Sequence, residues 1–248
     1  MANIEYVTLP EAGSTNTWCR EHASELSAPV VVRAVAQSAG RGQRGNSWES
    51  APGQNLTFSI LWHPEGVAPA EQFSISEAVA LGVVAYLRLR GIEAKVKWPN
   101  DLYVGDRKIC GILIEHSLLG SMLERSVIGV GINVNQEEFL SDAPNPVSMR
   151  QLTGRTFELP VELTVIVEEI ASCLEVISTA DGREKLHSNF LKCLWRGDGE
   201  EYPFRDVKEN RLFTGVIEGV EPAGFLLVRS KEDGELKKYA FKEVEFRL

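Results

Sequence analysis

The run Gly40-Arg41-Gly42-Gln43-Arg44-Gly45-Asn46-Ser47-Trp48 constrains this chain more than any other stretch. It places three glycines, two arginines and a tryptophan within nine residues. The chain around it is acidic, with a formal net charge of −9, so a basic loop stands out against its background. Glycine lets backbone N–H groups approach an anion closely. Arginine adds a planar fork of donors suited to carboxylates and phosphates. A neighbouring tryptophan can cover a flat ring. Together they point to a pocket for a phosphorylated ligand that carries an aromatic ring.

The same residues contain a literal G-x-G-x-x-G. A dinucleotide fingerprint needs a strand before it and a helix opening directly after it. Residues 30–36 read as the strand, but residues 46–53 are polar and broken by Pro52-Gly53, and residues 55–62 read as a second strand. Strand–loop–strand argues against a Rossmann turn. A protein-kinase glycine loop also lies between strands, but no H-R-D or D-F-G follows.

The acidic balance argues against nonspecific binding to nucleic acid or to an anionic membrane. No apolar run approaches the ~20 residues of a membrane span. The start, Met1-Ala2-Asn3-Ile4-Glu5, lacks the basic and apolar regions of a signal peptide, so the cytoplasm is the expected compartment. Cys19, Cys110, Cys173 and Cys193 are widely spaced, as are His22, His63, His116 and His187. Neither set has the spacing of a zinc site or a disulfide scaffold. No Walker A motif is present, and no nucleophilic triad stands out.

The chain reads as α+β. A short strand over 4–9 precedes a helix capped by Ser14 or Thr15 and running to about Leu26. Pro69 opens a long apolar helix that Gly91 ends. Residues 96–98 end a strand before Pro99, and strands over 102–104 and 108–116 form a hairpin around Gly105-Asp106. Residues 126–134 form another strand, and 161–178 and 183–195 two further helices. Residues 196–201 are a polar joint. From Tyr202 onward short strands alternate with turns, as in a small β-barrel. The expected division is therefore 1–195 and 198–248.

Two segments besides the loop suggest chemistry. The first is Lys97-Trp98-Pro99-Asn100-Asp101-Leu102, followed by 107–115, in which Lys108 precedes Gly111 and Leu113. The second is Gly129-Val130-Gly131-Ile132-Asn133. Its alternate glycines leave one face of a strand open for a flat ligand, with Asn133 on the same face.

Taken in order, Ser14-Thr15-Asn16, Gln37, the Gly40–Trp48 loop, Lys97-Trp98-Pro99-Asn100-Asp101, Lys108 to Leu113 and Gly129 to Asn133 resemble biotin protein ligase. The resemblance covers roughly residues 1–180, and the tail looks like the family's small C-terminal barrel. It implies a class II aminoacyl-tRNA synthetase-like catalytic domain with a mixed, mainly antiparallel sheet, plus a Src-homology-3-like barrel. The short stretch before Ser14 leaves no room for a winged helix, so the enzyme-only form is expected. The implied reaction joins biotin's carboxylate to the α-phosphate of ATP, releasing pyrophosphate. A lysine of a biotin carboxyl carrier domain then takes the biotinyl group from biotinyl-5′-AMP. No covalent enzyme intermediate is needed, so the protein's work is positioning and charge stabilisation.

The resemblance also implies roles. Ser14, Thr15, Asn16 and Gln37 should meet biotin's polar edges, with Gly40, Gly42, Gly111, Leu113, Gly129 and Gly131 around it. Arg41, Gln43 and Lys108 should hold the carboxylate and α-phosphate. Arg44, Trp48, Asn100 and Asn133 are assigned to the adenylate. Asp101 is left between binding Mg²⁺ and orienting the incoming lysine. Lys97 and Trp98 read as mainly structural. Family members pair through sheet edges, which leaves a homodimer open.

The loop departs from the family's commoner Gly-Arg-Gly-Arg-x-x-Arg-x-Trp, with Gln43 and Asn46 at the two later arginine positions. Full loss of one charged hydrogen bond, about 1.5–3 kcal/mol, would weaken adenylate retention by roughly ten- to a hundredfold. Arg44 is read as a partial replacement. The nearest rival is a lipoate or octanoate ligase, which shares the fold and the acyl-adenylate logic. A biotin-sensing DNA-binding regulator and a catalytically silent carrier-binding module fit the charge and the intact Lys108 and Arg41 less well.

Overall fold

In the computed structural model of the chain, residues 4–26, 29–141 and 145–247 are described. Seven strands form the main sheet: β1 (Glu5–Ala12), β2 (Val30–Gln37), β3 (Leu56–Trp62), β4 (Lys95–Lys97), β5 (Asp101–Val104), β6 (Arg107–Leu119) and β7 (Met122–Ile132). Their order is β1-β2-β3-β7-β6-β5-β4. Only β1 and β2 run parallel, so the sheet is mixed and mainly antiparallel, as expected. β2 and β3 are almost continuously buried because both sheet faces are covered.

Helix α1 (Thr15–Glu21) covers one face, where Cys19 packs with Val30, Val32, Leu61 and Val127. It stops short of the expected Leu26. The backbone leaves the helix at His22, whose ring stacks on Trp18 and sets Nδ1 2.9 Å from the Trp18 carbonyl. A histidine at this position satisfies a terminal carbonyl and suits the helix's negative end. Helix α2 (Phe73–Leu89) packs on the other face, preceded by a 3-10 turn at Pro69–Glu71 and followed by Gly91 at φ +78°. With that turn it has the length and composition of a membrane span, although Glu71, Glu77 and Arg88 interrupt its apolar run. Its apolar length is used inside the fold instead, with Ile75, Val79, Val83 and Leu87 all buried.

The short α3 (Met149–Thr153), capped reciprocally by Ser148 and Gln151, is absent from the sequence reading. α4 (Leu159–Val176) and α5 (Ala180–Lys192) complete the layer over α2. A second sheet holds β8 (Tyr202–Asp206), β9 (Arg211–Val220), β10 (Leu226–Ser230), β11 (Leu236–Tyr239) and β12 (Val244–Phe246), all antiparallel in the order β11-β10-β9-β8-β12. No ladder joins its end strands among the described residues, so the expected barrel is present as an antiparallel sheet without that closing pair. Two indoles tie it to the main sheet. Trp98 Nε1 donates to Gly224 O at 3.0 Å, and Trp195 Nε1, whose ring packs on Phe246, donates to Gly105 O at 2.8 Å.

Gly82 sets how closely α2 and α4 approach. A Cβ there would lie 2.6 Å from Ile170 Cα and 2.8 Å from Ile170 N, both backbone atoms. Alanine in a helix interior is ordinarily worth about 1 kcal/mol over glycine. Forcing two helices apart costs about 1–3 kcal/mol, so the steric term wins. Gly82→Ala should lower the urea midpoint of unfolding; an equal or higher midpoint would contradict the close contact.

Candidate active site

The site is built on a bare strip of the main sheet. β6 and β7 pair with Gly111 opposite Gly131 and Leu113 opposite Gly129. The two-residue period of a strand then turns all three glycines to one face. A Cβ on Gly129 would lie 2.2 Å from Asn16 Oδ1, and one on Gly131 would lie 2.4 Å from Trp48 Cε2. One on Gly111 would lie 3.0 Å from Trp48 Cζ3. The glycine gap is real: the Asn16 amide and the Trp48 indole pack into it, and all three glycines also line the cavity beside it.

A cavity of about 570 Å³ opens beside this strip. One end is polar and buried. The Ser59 hydroxyl donates to Asn16 Oδ1 at 2.6 Å and lies 2.7 Å from Thr15 Oγ1. Asn16 Nδ2 donates to Leu113 O and to Glu115 Oε2 at 3.1 and 3.0 Å, so its donors are taken by protein. Gln37 Oε1 accepts from the Thr15 backbone N–H at 2.8 Å. Ser14 is the N-cap of α1, yet its side chain makes no capping hydrogen bond. Its hydroxyl and the Gln37 amide nitrogen have no hydrogen-bond partner among the described residues. These two groups line the cavity and are available to a ligand.

The middle is charged. Lys108 Nζ lies 2.8 Å from Asp101 Oδ1 across the β5–β6 hairpin. The hairpin turn Gly105-Asp106, with Gly105 at φ +57°, brings the two strands back to this register. Arg41 points its fork at Glu115, with contacts of 3.0 and 3.3 Å. Sequence reasoning did not single out Glu115 as a partner. Its signal was the alternation Gly111, Leu113, Glu115, which puts it on the glycine face. The loop itself is pinned by Trp48 N–H to Gly40 O at 3.0 Å and by Gly42 N–H to Asn46 O at 2.7 Å. Gly40 is outside the cavity lining. A Cβ there would lie 2.4 Å from Trp48 O, so the residue serves loop closure. Gln43 lines the cavity with its Oε1 buried and unpaired, as is Trp48 Nε1. The Arg44 side chain lies outside the described residues.

Asn100 lines the cavity but is clamped to β6. Its Nδ2 donates to Ile112 O, and its carbonyl accepts from Ile112 N–H at 3.0 Å. Asn133 follows the end of β7 and is buried outside the cavity lining, with Oδ1 buried without a partner among the described residues and Nδ2 donating to Val147 O at 3.1 Å. That bond ties the 145–147 segment to the strand, and the same segment pairs with the Lys108 backbone.

The far wall was not anticipated. Val207, Phe241, Lys242, Val244, Glu245 and Phe246 of the second sheet line it, beside Lys97 and Trp98. Lys97 Nζ donates to Tyr103 OH at 2.9 Å. Burial pushes the Lys97 pKa down, with nearby Asp101 opposing the shift. Burial, then the Asp101 charge, pushes the Tyr103 hydroxyl up. In an acidic chain, the lining carries the cations Arg41, Lys97, Lys108 and Lys242 against the carboxylates Asp101 and Glu245. Such a cavity suits an anion larger than a carboxylate.

Gly131→Ala tests the strip. Extended backbone accepts alanine, so the fold should persist, while the added methyl displaces the Trp48 indole and opens the loop. Trypsin should then cut after Arg41 or Arg44 faster than in the parent chain, with little change in melting temperature. Unchanged cleavage would contradict the packing of Trp48 on β7.

The comparisons with known proteins follow this geometry. The family model for the biotin/lipoate A/B protein ligase family matches residues 10–133, which run from the end of β1 past the glycine strip. The bifunctional ligase/repressor BirA of Salmonella typhimurium is 29% identical over 247 residues, covering 96% of this chain and 73% of that protein. A biotin–[acetyl-CoA-carboxylase] ligase of Paracoccus denitrificans is 29% identical over 234 residues, covering 89% of this chain and 92% of that protein. The structure of biotin protein ligase from Aquifex aeolicus in complex with biotin and ATP superposes with a TM-score of 0.78 at 23% identity, covering 100% of this chain and 99% of that one. The fold is thus that of the biotin protein ligases, and the chain belongs to the biotin/lipoate A/B protein ligase family.

Proposed function

We propose that this chain is an ATP-dependent biotin protein ligase. It forms biotinyl-5′-AMP and then passes biotin to a lysine of a biotin carboxyl carrier domain. The observation that carries this reading is the joining of a buried polar end to a cationic middle in one cavity. Biotin's ureido ring offers two N–H donors and a carbonyl, which match hydroxyl and amide groups such as those of Ser14 and Gln37. The dithiolane of lipoate offers no such groups, so burying this polar set against it would leave donors and acceptors unmatched. Named biotin ligases align along nearly the whole chain, which supports the same choice.

Lys108 is placed to stabilise negative charge as the biotin carboxylate meets the α-phosphate. Asp101 holds that ammonium and is assigned as the acceptor that an incoming amine would need. Arg41 and the Gln43 amide are assigned to the carboxylate and phosphate, with the loop and Trp48 closing over the adenylate. Among the described residues no three acidic, histidine or cysteine side chains cluster as a metal site. That donor set fits Mg²⁺ carried in by the triphosphate and taking one protein carboxylate, Asp101, where it would neutralise phosphate charge. Residues 1–195 would hold the chemistry and 198–248 would form a smaller C-terminal unit. All four cysteines are free, which suits a reducing compartment such as the cytoplasm.

Pyrophosphate release tests the reading. Biotin with ATP should support it and lipoate should not. Lys108→Ala should lower the rate by about 10²–10³, the loss typical of one donor to developing charge. Release with lipoate alone, or full activity of the variant, would contradict the assignment.

A further inference from the structure

The basic loop ends at Trp48, and the next residue, Glu49, turns its carboxylate onto the segment that follows β7. Oε1 accepts from Gln136 Nε2 at 3.0 Å and from the Leu140 backbone N–H at 2.8 Å. Oε2 accepts from the Ser141 backbone N–H at 2.8 Å. Burial alone would raise the pKa of this carboxyl. The hydrogen bonds from Ser141, Leu140 and Gln136 outweigh it and hold the group below the usual carboxylate range. Glu49 is therefore ionised at neutral pH, where a charged acceptor forms the stronger hydrogen bonds. It pairs with no cation among the described residues, so its charge acts on amide donors alone.

Gln136 carries the contact inward. It is buried, and its amide is used on both sides. Oε1 accepts from the Ala51 backbone N–H at 2.9 Å and from Asn55 Nδ2 at 2.6 Å, while Nε2 also donates to Glu138 O at 2.8 Å. Asn55 Oδ1 in turn accepts from the Val134 N–H at 2.9 Å, and the Asn135 N–H donates to Gln54 O at 2.8 Å. Residues 49–55 and 134–141 are thus stitched together side by side. Further along the chain, Asn145 O accepts from the Lys108 N–H and the Val147 N–H donates to Lys108 O, both at 2.9 Å. The chain leaving β7 therefore meets the root of the loop first and the Lys108 backbone later.

Loop closure gives this clamp a use. The loop carries Arg41 and Gln43 along the cavity and seats Trp48 against Gly131. Gln43 brings an amide rather than a charge, so what the loop adds beyond Arg41 depends on how firmly it stays closed. Glu49 itself is outside the cavity lining and touches none of the groups assigned to the reaction. We propose that Glu49 is a positioning residue, whose carboxylate clamps the root of the loop to residues 136–141 and so sets how long the closed loop retains biotinyl-5′-AMP. This rests on the biotin-ligase reading above.

The test uses the full chain with Glu49→Ala and Glu49→Gln. The alanine removes the clamp. The glutamine keeps its size but turns an NH₂ group toward backbone donors, and it keeps the test open if Glu49→Ala fails to fold. Tryptic cleavage after Arg41 or Arg44 is timed without ligand, and dissociation of bound biotinyl-5′-AMP is followed in a chase. Cleavage follows the population of the open loop when opening is fast. Each folded variant should speed both processes by about tenfold or more, the loss of one charge-assisted hydrogen bond. Biotin transfer to a carrier domain at saturating adenylate should be unchanged, which a general loosening of the fold would not allow. An unchanged rate in either measurement, or an equal loss in transfer, would overturn the clamp. A parent chain that binds no biotinyl-5′-AMP would instead overturn the underlying reading, and the ligand-free cleavage rates would still decide whether Glu49 anchors the loop.

Discussion

A strip of sheet with no side chains is the constraint on which this site depends. Gly111, Gly129 and Gly131 let two remote elements reach the sheet surface, α1 through Asn16 and the basic loop through Trp48. Each contact is too close to admit even a methyl group without displacement. Once Asn16 is seated on Gly129, the Ser59 hydroxyl, the Leu113 carbonyl and the Glu115 carboxylate complete its hydrogen bonds. Once Trp48 is seated on Gly131, the loop that carries Arg41 and Gln43 lies along the cavity. The cavity's polar end and its lid therefore have a common foundation in β6 and β7.

Charge is arranged on that foundation from several directions. Lys108 comes from the hairpin, Arg41 from the loop, Lys97 from the edge strand and Lys242 from the second sheet. None depends on a neighbour in sequence. An acidic protein thereby concentrates positive charge in one place, and the aromatic walls strengthen it by excluding water. A reaction with no covalent enzyme intermediate relies on this kind of preorganisation.

Much of this was legible in the residues. The alternate glycines gave the bare face, Gly105-Asp106 gave the turn that brings Lys108 to Asp101, and Pro69 and Gly91 bracketed α2. What escaped had physical reasons. Arg41 and Glu115 are 74 positions apart, and nothing local marks them as partners. The strip's occupants come from α1 and the loop, so a strand pattern shows the gap without showing what fills it. That Asn133 ties its Nδ2 to Val147 was not visible either, because the strand ends one residue earlier. The far wall depends on how two sheets dock through Trp98 and Trp195, which no periodicity records.

The most direct measurement is calorimetric titration of biotin into the parent chain and into Gly129→Ala. The methyl would press on Asn16 and disturb the polar end, while the Lys108–Asp101 pair makes no contact with that side chain. Saturable binding to the parent should weaken by roughly tenfold or more in the variant, the loss of one or two buried hydrogen bonds. Equal affinity in the two proteins would contradict the claim that this glycine strip builds the binding site.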